Sequence, residues 1–561
     1  MGSNEDLQTI LSLLQSGRHK AAYKAAKKAM GKNPTNPVFV NIAGIALAGS
    51  GSPREAVPYF NRALKRDPDF HDARKNLAQT LILLGRPDQA ETQLTRLADA
   101  LPGDAGVWYL LGQAHLAQGR LREAETAADK AIALEPRQAR NLNLRALLRD
   151  RLGQSAAALA DYEAALRLNP DDVDTLVNIS LPLARQTRNA ESEAAIRRAV
   201  QIAPAHTGAR LRLAAHLVET GAPAEAGEQY REILRHVPDH SEALEQIAQL
   251  NTPEANAELL PTIRQALKKA PQSGNDRASL CFALAHIAEQ SGDSDAFADW
   301  LRQANAAMAR ALPYDRAADD ALTRSILAAF PDPLPPSDAT EDPMPIYVTG
   351  LPRSGTTLAE AILGAHSAVA PLGERATAGI LLYPQIESGQ PFDDDRIAEF
   401  RAADRQLLPA LPEGCRAYVD KMPENYRLIG HLKAAWPGCR IIALRRDPRD
   451  TALSMWRGHF TGKALNYTYD LDAMAHRFNL HAQMMAHWHS VFPGQIMELV
   501  YEETVANVEA ASRTLADFCG LDWQPGMARP DQGGAQVLTL SARQIRQPVH
   551  TRSVGRWRAH A

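Results

Sequence analysis

The residues best suited to chemistry stand in the segment GLPRSGTT, residues 350–357, which follows an apolar run and precedes a predicted helix. Its glycines let main-chain N–H groups converge on an anion, and the start of a helix favours negative charge. The potential ligands to an anion are Arg353, Ser354, Gly355, Thr356 and Thr357. The frame is that of the nucleotide-binding loop G-x-x-x-x-G-K-[ST], but Thr356 stands where that loop has its lysine. The segment therefore predicts a phosphate site and disfavours hydrolysis of a nucleoside triphosphate.

A second pair of anion-binding candidates lies further along the chain. Arg446 ends the apolar run CRIIALRR, and Ser454 stands eight residues later, about two turns into a predicted helix. A guanidinium and a hydroxyl in this arrangement can bind a second phosphate. The alternative is a solvated cluster of opposite charges, made of Arg445, Arg446, Arg449, Asp447 and Asp450.

The elements that must position these residues are strands followed by helices. The runs PIYVTG, CRIIALRR and QIMELVYEET predict strands, whereas TTLAEAILGAH and RDTALSMWRGHF predict helices. Strands that alternate with helices favour an α/β domain with a mainly parallel sheet, which we predict over residues 344–561. Residues 313–343, which are rich in Pro and acidic side chains, are predicted to form the linker before this domain.

The first half of the chain repeats every 34 residues. Prolines recur at this spacing as Pro34, Pro68, Pro102, Pro136, Pro170, Pro204 and Pro238. Glycines keep the same period at Gly51, Gly85, Gly119, Gly153 and Gly221, with Thr187 as the one exception. This period is typical of tetratricopeptide repeats, in which pairs of amphipathic helices stack into a superhelix with a concave surface. The sequence predicts an all-α solenoid over residues 1–312, with regular repeats to about residue 250 and atypical capping helices after it.

Composition narrows the possible function classes. The 561 residues carry a net charge of −3, which does not suggest a nucleic-acid-binding surface. The four cysteines are scattered, and His481, His487 and His489 lack the spacing of ligands on one helical face, so no metal site is predicted. The sequence lacks an apolar run of about 18 residues and a signal-peptide pattern. We therefore expect a soluble, cytoplasmic protein without a membrane span, and the high Ala and Arg content suggests a bacterial source.

Together the two phosphate segments resemble the sulfotransferase family, which transfers a sulfonate from 3′-phosphoadenosine 5′-phosphosulfate (PAPS). GLPRSGTTL looks like the 5′-phosphosulfate loop of that family, and Arg446 with Ser454 match its 3′-phosphate motif. LVYEET resembles a tyrosine-bearing segment near the cofactor, which makes Tyr501 a candidate neighbour of the adenine or ribose. The resemblance covers about residues 344–561 and implies PAPS as cofactor, without a required metal.

Within this family the segment PRSGTTLAEAILGAHSAVAPLGE is similar to the tyrosylprotein sulfotransferases and to bacterial sulfotransferases linked to tetratricopeptide repeats. The resemblance gives Glu374 the role of catalytic base, although the spacing before it is one residue longer here. VDKMPENY offers Lys421 as the lysine that faces the transferring sulfonate, together with Arg353. The end of the chain, RQPVHTRSVGRWR, is similar to a segment that closes over the cofactor, and it offers Arg552 and Ser553 as 3′-phosphate contacts.

These observations leave several functions open. The leading hypothesis is a sulfotransferase whose solenoid groove presents a tyrosine of a protein or peptide, and the solenoid could equally serve docking or a homodimer. Alternatives are a carbohydrate or small-molecule sulfotransferase, a kinase built on the same loop, and a repeat scaffold with an inactive catalytic domain. Thr356 in place of lysine argues against the kinase.

Overall fold

The structure, a computed structural model, describes residues 2–186, 188–334, 339–460, 462–532 and 548–560. The chain forms two compact units, Met1–Pro182 and Leu183–Ala561. The helices before the first strand are α1 (Gly2–Gln15), α2 (His19–Lys32), α3 (Pro37–Gly49), α4 (Pro53–Arg66), α5 (His71–Leu83), α6 (Pro87–Ala100), α7 (Ala105–Ala117), α8 (Leu121–Leu134), α9 (Ala139–Arg151), α10 (Ser155–Leu168), α11 (Val173–Arg185), α12 (Asn189–Ile202), α13 (Thr207–Thr220), α14 (Pro223–His236), α15 (Ser241–Leu250), α16 (Pro253–Lys269), α17 (Asn275–Gln290), α18 (Ser294–Ala311) and α19 (Arg316–Ala328). In the part of the chain that is described, every helix is too short or too polar to cross a membrane.

The 34-residue period corresponds to pairs of helices, as the sequence predicts. Each of the seven periodic prolines lies two residues beyond the end of an even-numbered helix, from Pro34 after α2 to Pro238 after α14. The five periodic glycines adopt positive φ angles between the two helices of a pair. Ala56 and Phe60 of the A-x3-aromatic pattern are both buried. These positions therefore mark where each helix ends and which face it buries.

The second unit opens with the last helices of the array. The helices expected after Pro238 are present as α15 to α18. The prediction of a linker over residues 313–343 was wrong for the first half of that segment, because α19 lies there. Ile326 of α19 and the following Phe330 pack in an apolar core that also holds Tyr347 and Ile441. Residues 313–343 combine the amphipathic stretch that forms α19 with the Pro-rich stretch after it, so the composition of the whole segment did not reveal the helix.

The carboxy-terminal part of the chain is built on a five-stranded, fully parallel sheet. Its strands are β1 (Met344–Gly350), β2 (Val369–Pro371), β3 (Ala417–Asp420), β4 (Arg440–Arg445) and β5 (Ile496–Val500). The order across the sheet is β2-β3-β1-β4-β5, with every neighbouring pair parallel. The sequence predicted β1, β4 and β5 but missed β2 and β3, which are only three and four residues long.

Helices cover both faces of this sheet, which is the α/β architecture expected for parallel strands. They are α20 (Thr356–Gly364), α21 (Thr377–Glu387), α22 (Asp394–Gln406), α23 (Ile429–Ala435), α24 (Pro448–Trp456), α25 (Leu471–Val491), α26 (Tyr501–Ala506) and α27 (Val508–Cys519). Short 3₁₀ helices span Pro423–Leu428, Lys463–Tyr469, Pro525–Ala528, Pro530–Gln532 and Arg556–His560. Along β1, Tyr347 faces one apolar core while Ile346 and Val348 face the other.

Candidate active site

The candidate residues lie where the strands end. Each of the five strands is followed closely by one of them: β1 by the 350–357 loop, β2 by Glu374, β3 by Lys421, β4 by Arg446 and β5 by Tyr501. Because all the strands are parallel, their carboxyl ends share one edge of the sheet. The central strand β1 separates β3 on one side from β4 on the other, and ligands of open α/β sheets bind at such a reversal of strand order.

The loop after β1 has the backbone of an anion cradle. Gly355, with φ +107°, ends the loop, and a Cβ atom there would lie 2.5 Å from Cδ2 of Tyr501. Only glycine lets the loop pass this close to the tyrosine ring. Arg353 has a positive φ of 66°, which is uncommon for a residue with a side chain. The hydroxyl of Ser354 is buried and has no hydrogen-bond partner among the described residues.

Two predicted phosphate motifs meet in this structure although they lie about a hundred residues apart in sequence. Arg353 donates from Nε to Oγ of Ser454 over 3.0 Å. Arg446 donates from Nη1 to the main-chain oxygen of Arg353 over 2.8 Å. The alternative view of Arg446 as part of a solvated charge cluster does not describe its contacts, because its neighbours here are loop and ring atoms.

The end of the described chain completes this group. The guanidinium of Arg446 lies 4.5 Å from the ring centroid of Tyr501 and donates from Nη2 to the main-chain oxygen of Ser553 over 2.9 Å. The hydroxyls of Tyr501 and Ser553 are 2.7 Å apart. Tyr501 begins α26, although the sequence placed it in a strand-like run. Arg552 is exposed, and we find no hydrogen bond or ion pair from it to any described residue. We call Arg353, Ser354, Arg446, Ser454, Tyr501 and Ser553 the phosphate cluster.

A second group, which we call the carboxylate–lysine cluster, consists of Glu360, Glu374 and Lys421. Lys421 is 1% exposed, and its Nζ lies 2.6 Å from Oε1 of Glu374 and 4.0 Å from Oε2 of Glu360. The Glu374 side chain is 42% exposed, so a ligand can approach it. The pairing of Glu374 with Lys421 brings together the two residues that the resemblance places around the transferring group.

The electrostatics of the phosphate cluster favour an anion. Burial, together with the nearby positive charges of Arg446 and Arg457, lowers the pKa of Arg353 to about 10. A bound phosphate would relieve this repulsion and offer an acceptor to the unpaired hydroxyl of Ser354 and to the buried Nε of Arg446, which also lacks a hydrogen-bond partner among the described residues. The residues present therefore fit the phosphate groups of PAPS.

Sequence reasoning missed several polar residues that shape this site. Asp450 accepts hydrogen bonds from the main-chain N–H groups of Gly555 and Trp557, at 2.6 and 2.9 Å, and so anchors the end of the chain. Oε1 of Glu502 accepts from the main-chain N–H of Asp447 over 2.9 Å. Glu360 was also missed, although a lone glutamate in the apolar helix TTLAEAILG was a usable signal. Asp450 and Glu502 stand in charged stretches of the sequence, and only the fold shows which groups they contact.

Asp420, which precedes Lys421, is expected to make the stability of the protein depend on pH. Burial raises the pKa of Asp420 to about 7, against the opposing effect of Arg375. The folded chain thus holds this proton more tightly than the unfolded chain, so stability is lost as pH rises from about 4 to about 7. We expect Asp420→Asn to flatten this loss by about 1–3 kcal/mol in urea unfolding at pH 5 and pH 8. The exposed substitution Asp394→Asn is the control, and equal slopes for Asp420→Asn and wild type would contradict the account.

A helix of the array contributes to the surroundings of the phosphate cluster. Glu289 of α17 accepts from Nη1 of Arg457 over 2.5 Å and from Nη2 of Arg556 over 2.6 Å. Arg457 follows α24, and Arg556 belongs to the terminal 3₁₀ helix. Asn305 of α18 also donates to the main-chain oxygen of Trp456 over 2.9 Å. Helices α17 and α18 therefore form part of the same compact unit as the sheet.

We expect Glu289→Gln to lower the free energy of unfolding by about 1–3 kcal/mol, because two arginines lose their half-buried anionic partner. Urea unfolding followed by circular dichroism measures the effect. Glu258→Gln, on the exposed face of α16, is the matched control. Equal unfolding midpoints for Glu289→Gln and the control would show that α17 does not brace this region.

Two kinds of protein family match separate parts of the chain. Residues 345–525 match the sulfotransferase family, and tetratricopeptide repeats match residues 47–105 and four overlapping segments between 84 and 241. An uncharacterized protein of Aquifex aeolicus is 28% identical over 539 residues, covering 90% of this chain and 70% of that protein.

The catalytic half has named relatives. A putative protein-tyrosine sulfotransferase of Caenorhabditis briggsae is 27% identical over 231 residues, covering 38% of this chain and 80% of that protein. Protein-tyrosine sulfotransferase 2 of Gallus gallus is 24% identical over 246 residues, covering 38% of this chain and 63% of that protein. Residues 345–525 are thus a sulfotransferase-family domain, which this chain joins to an amino-terminal array of tetratricopeptide repeats.

Proposed function

We propose that this protein uses PAPS to transfer a sulfonate to a hydroxyl acceptor, most readily a tyrosine of a protein or peptide. The observation that carries the proposal is the junction of Arg353, Ser454 and Arg446, which joins the loop after β1 to the residues after β4. A ligand with phosphate groups at two positions of one nucleoside needs two such anion sites side by side. Binding of a nucleoside triphosphate would instead need the loop lysine, and Thr356 stands at that position.

We assign each candidate residue one role in the proposed reaction. The loop residues Ser354, Gly355, Thr356 and Thr357 would hold the 5′-phosphosulfate with main-chain and hydroxyl donors at the start of α20. Arg446 and Ser454 would hold the 3′-phosphate, and Tyr501 with Ser553 would border the nucleoside. PAPS supplies the sulfonate, and its S–O bond to the phosphate breaks as a new S–O bond to the acceptor forms.

The reaction also needs one residue that accepts a proton and others that neutralise the negative charge of the transferring group. Glu374 is the partly exposed carboxylate of the carboxylate–lysine cluster, so it would accept the proton of the acceptor hydroxyl. Lys421 and Arg353 would neutralise charge on the sulfonate oxygens and on the departing phosphate. No step of this scheme requires a redox partner, since the products are the sulfated acceptor and adenosine 3′,5′-bisphosphate.

The choice of a protein acceptor rests on two supports. Relatives that match the catalytic half are named protein-tyrosine sulfotransferases, and stacked repeats of this kind form an extended concave binding surface. We propose that this array binds the acceptor protein or a partner that brings it. A saccharide or small phenol as acceptor remains the alternative within the same chemistry.

Calorimetric titration with adenosine 3′,5′-bisphosphate, 5′-AMP and magnesium–ATP tests the cofactor assignment. We expect the bisphosphate to bind at least about tenfold more tightly than 5′-AMP, since only it reaches both anion sites. Equal affinities would remove the basis for a 3′-phosphate site. Preferential binding and turnover of magnesium–ATP would support a kinase instead.

A further inference from the structure

Glu360 is a buried carboxylate with two different partners. It lies in α20, four residues after Thr356, and is 9% exposed. Its Oε1 accepts a hydrogen bond from the main-chain N–H of Gly373 over 2.7 Å, and its Oε2 is 4.0 Å from Nζ of Lys421. One side chain on the phosphate-loop helix thus contacts both the segment after β2 and the residue after β3.

These contacts fix the position of Glu374. Gly373, which precedes Glu374, has a φ of +67°. Its N–H is held by Glu360, and its carbonyl oxygen accepts from the main-chain N–H of Lys421 over 2.9 Å. The side chains of Lys421 and Glu374 then close the ring with their 2.6 Å contact. Both polar main-chain groups of Gly373 are therefore engaged, and one of the two bonds depends on Glu360 alone.

We propose that Glu360 is a positioning residue of the transfer reaction, which holds Glu374 through Gly373 and holds the Lys421 ammonium through its second oxygen. This inference rests on the proposed function, because it assigns Glu374 and Lys421 their roles. Glu360 does not touch the acceptor in this scheme. It holds Glu374, the proposed proton acceptor, in its starting position, and it keeps a negative charge beside Lys421.

The second oxygen matters because Lys421 has two tasks. An ammonium that turns toward a negatively charged sulfonate oxygen weakens its contact with Glu374, and a buried cation without an anionic partner is costly. Glu360 remains beside Lys421 throughout, since its other oxygen is tied to the main chain of Gly373. The lysine can therefore serve the transferring group while Glu374 is released for the acceptor proton.

Charge on Glu360 is expected to respond to pH near neutrality. Burial raises the pKa of Glu360 to about 7, although the positive charge of Lys421 acts against this. The charged groups around it are Lys421 and Glu374, and Asp420 also interacts with it electrostatically. Protonation of Glu360 removes one of the two negative partners of Lys421, the one that stays when Glu374 is released, so activity should fall as pH drops below about 7.

Glu360→Gln and Glu360→Ala separate the two contacts, and Glu387→Gln on the exposed part of α21 is the matched control. Glu360→Gln keeps an acceptor for the Gly373 N–H but removes the charge, so we expect kcat to fall about 10- to 100-fold. The acceptor KM and the bisphosphate Kd should change by less than about threefold, and the limb of the pH profile near 7 should disappear.

Amide hydrogen exchange at Gly373 gives a readout that needs no turnover. We expect exchange there to accelerate at least about tenfold in Glu360→Ala and to stay within about threefold of wild type in Glu360→Gln. Unchanged exchange in Glu360→Ala, or wild-type kcat and pH profile in Glu360→Gln, would overturn the proposal. If wild type transferred sulfonate to no acceptor, the proposed function would fail, while the exchange experiment would still decide whether Glu360 holds this segment.

Discussion

Replacing Arg446 with alanine is expected to raise the Kd for adenosine 3′,5′-bisphosphate about 30- to 300-fold while leaving the Kd for 5′-AMP within about threefold. The side chain stands at the end of β4, against the ring of Tyr501 and the loop oxygen of Arg353. A guanidinium that makes charge-assisted hydrogen bonds to a phosphate contributes several kcal/mol in a partly buried site. Loss of the Arg446 side chain should therefore weaken the binding only of ligands that carry a 3′-phosphate.

The neighbouring arginine provides the control. Arg445 has a side chain that is 66% exposed, and it pairs with Glu498 away from the phosphate cluster. Arg445→Ala changes the net charge by the same amount, so we expect it to leave both dissociation constants nearly unchanged. A similar loss in both variants would mean that general attraction, not a defined 3′-phosphate site, binds the nucleotide. A parallel loss of 5′-AMP binding in Arg446→Ala would point to local disorder of the loop.

Glu374→Gln is expected to lower kcat for sulfonate transfer about 10²- to 10⁴-fold, which is the range for removal of a general base. The amide keeps the size of the side chain but cannot accept the acceptor proton. Binding of the bisphosphate should be retained, because Glu374 belongs to the carboxylate–lysine cluster and has no contact with Arg446 or Ser454. Rapid-mixing measurements of a single turnover report the chemical step directly.

An exposed glutamate in the same domain, Glu413, gives the comparison variant Glu413→Gln. We expect it to keep wild-type kcat. If Glu374→Gln also kept wild-type kcat, the base would be another group, and the one-residue difference in spacing before Glu374 would mean that the alignment to the family was misplaced.

The positions of some candidate residues could be anticipated because they follow strands. Arg353 and Arg446 could be found from the residues since β1 and β4 are long enough to show an apolar run, whereas Tyr501 was offered only by the family resemblance. Glu374 and Lys421 follow β2 and β3, which are too short for such a pattern, and only a family resemblance pointed to them. That Lys421 pairs with both Glu374 and Glu360 depends on the strand order, which is a tertiary property.

The helical half was predictable for a different reason. Apart from the repeat in which Thr187 stands at the glycine position, each repeat follows the same local rule, with glycine in the turn and proline after the second helix, so the period is visible in the sequence. This repeat pattern did not predict that α17 and α19 contact the catalytic half. Glu289 and Asp319 make their ion pairs with Arg457 and Arg477, about 160 residues away, and no pattern within a repeat encodes such partners.

The most direct measurement is transfer of labelled sulfonate from PAPS by wild-type protein to three acceptors, a tyrosine peptide, a saccharide and a simple phenol. The account predicts that label reaches a hydroxyl acceptor, with the tyrosine peptide labelled fastest, and that Glu374→Gln slows the transfer about 10²- to 10⁴-fold. Labelling of the saccharide alone would keep the chemistry and replace the acceptor. Binding of the bisphosphate without transfer to any of the three would contradict the account and favour a scaffold.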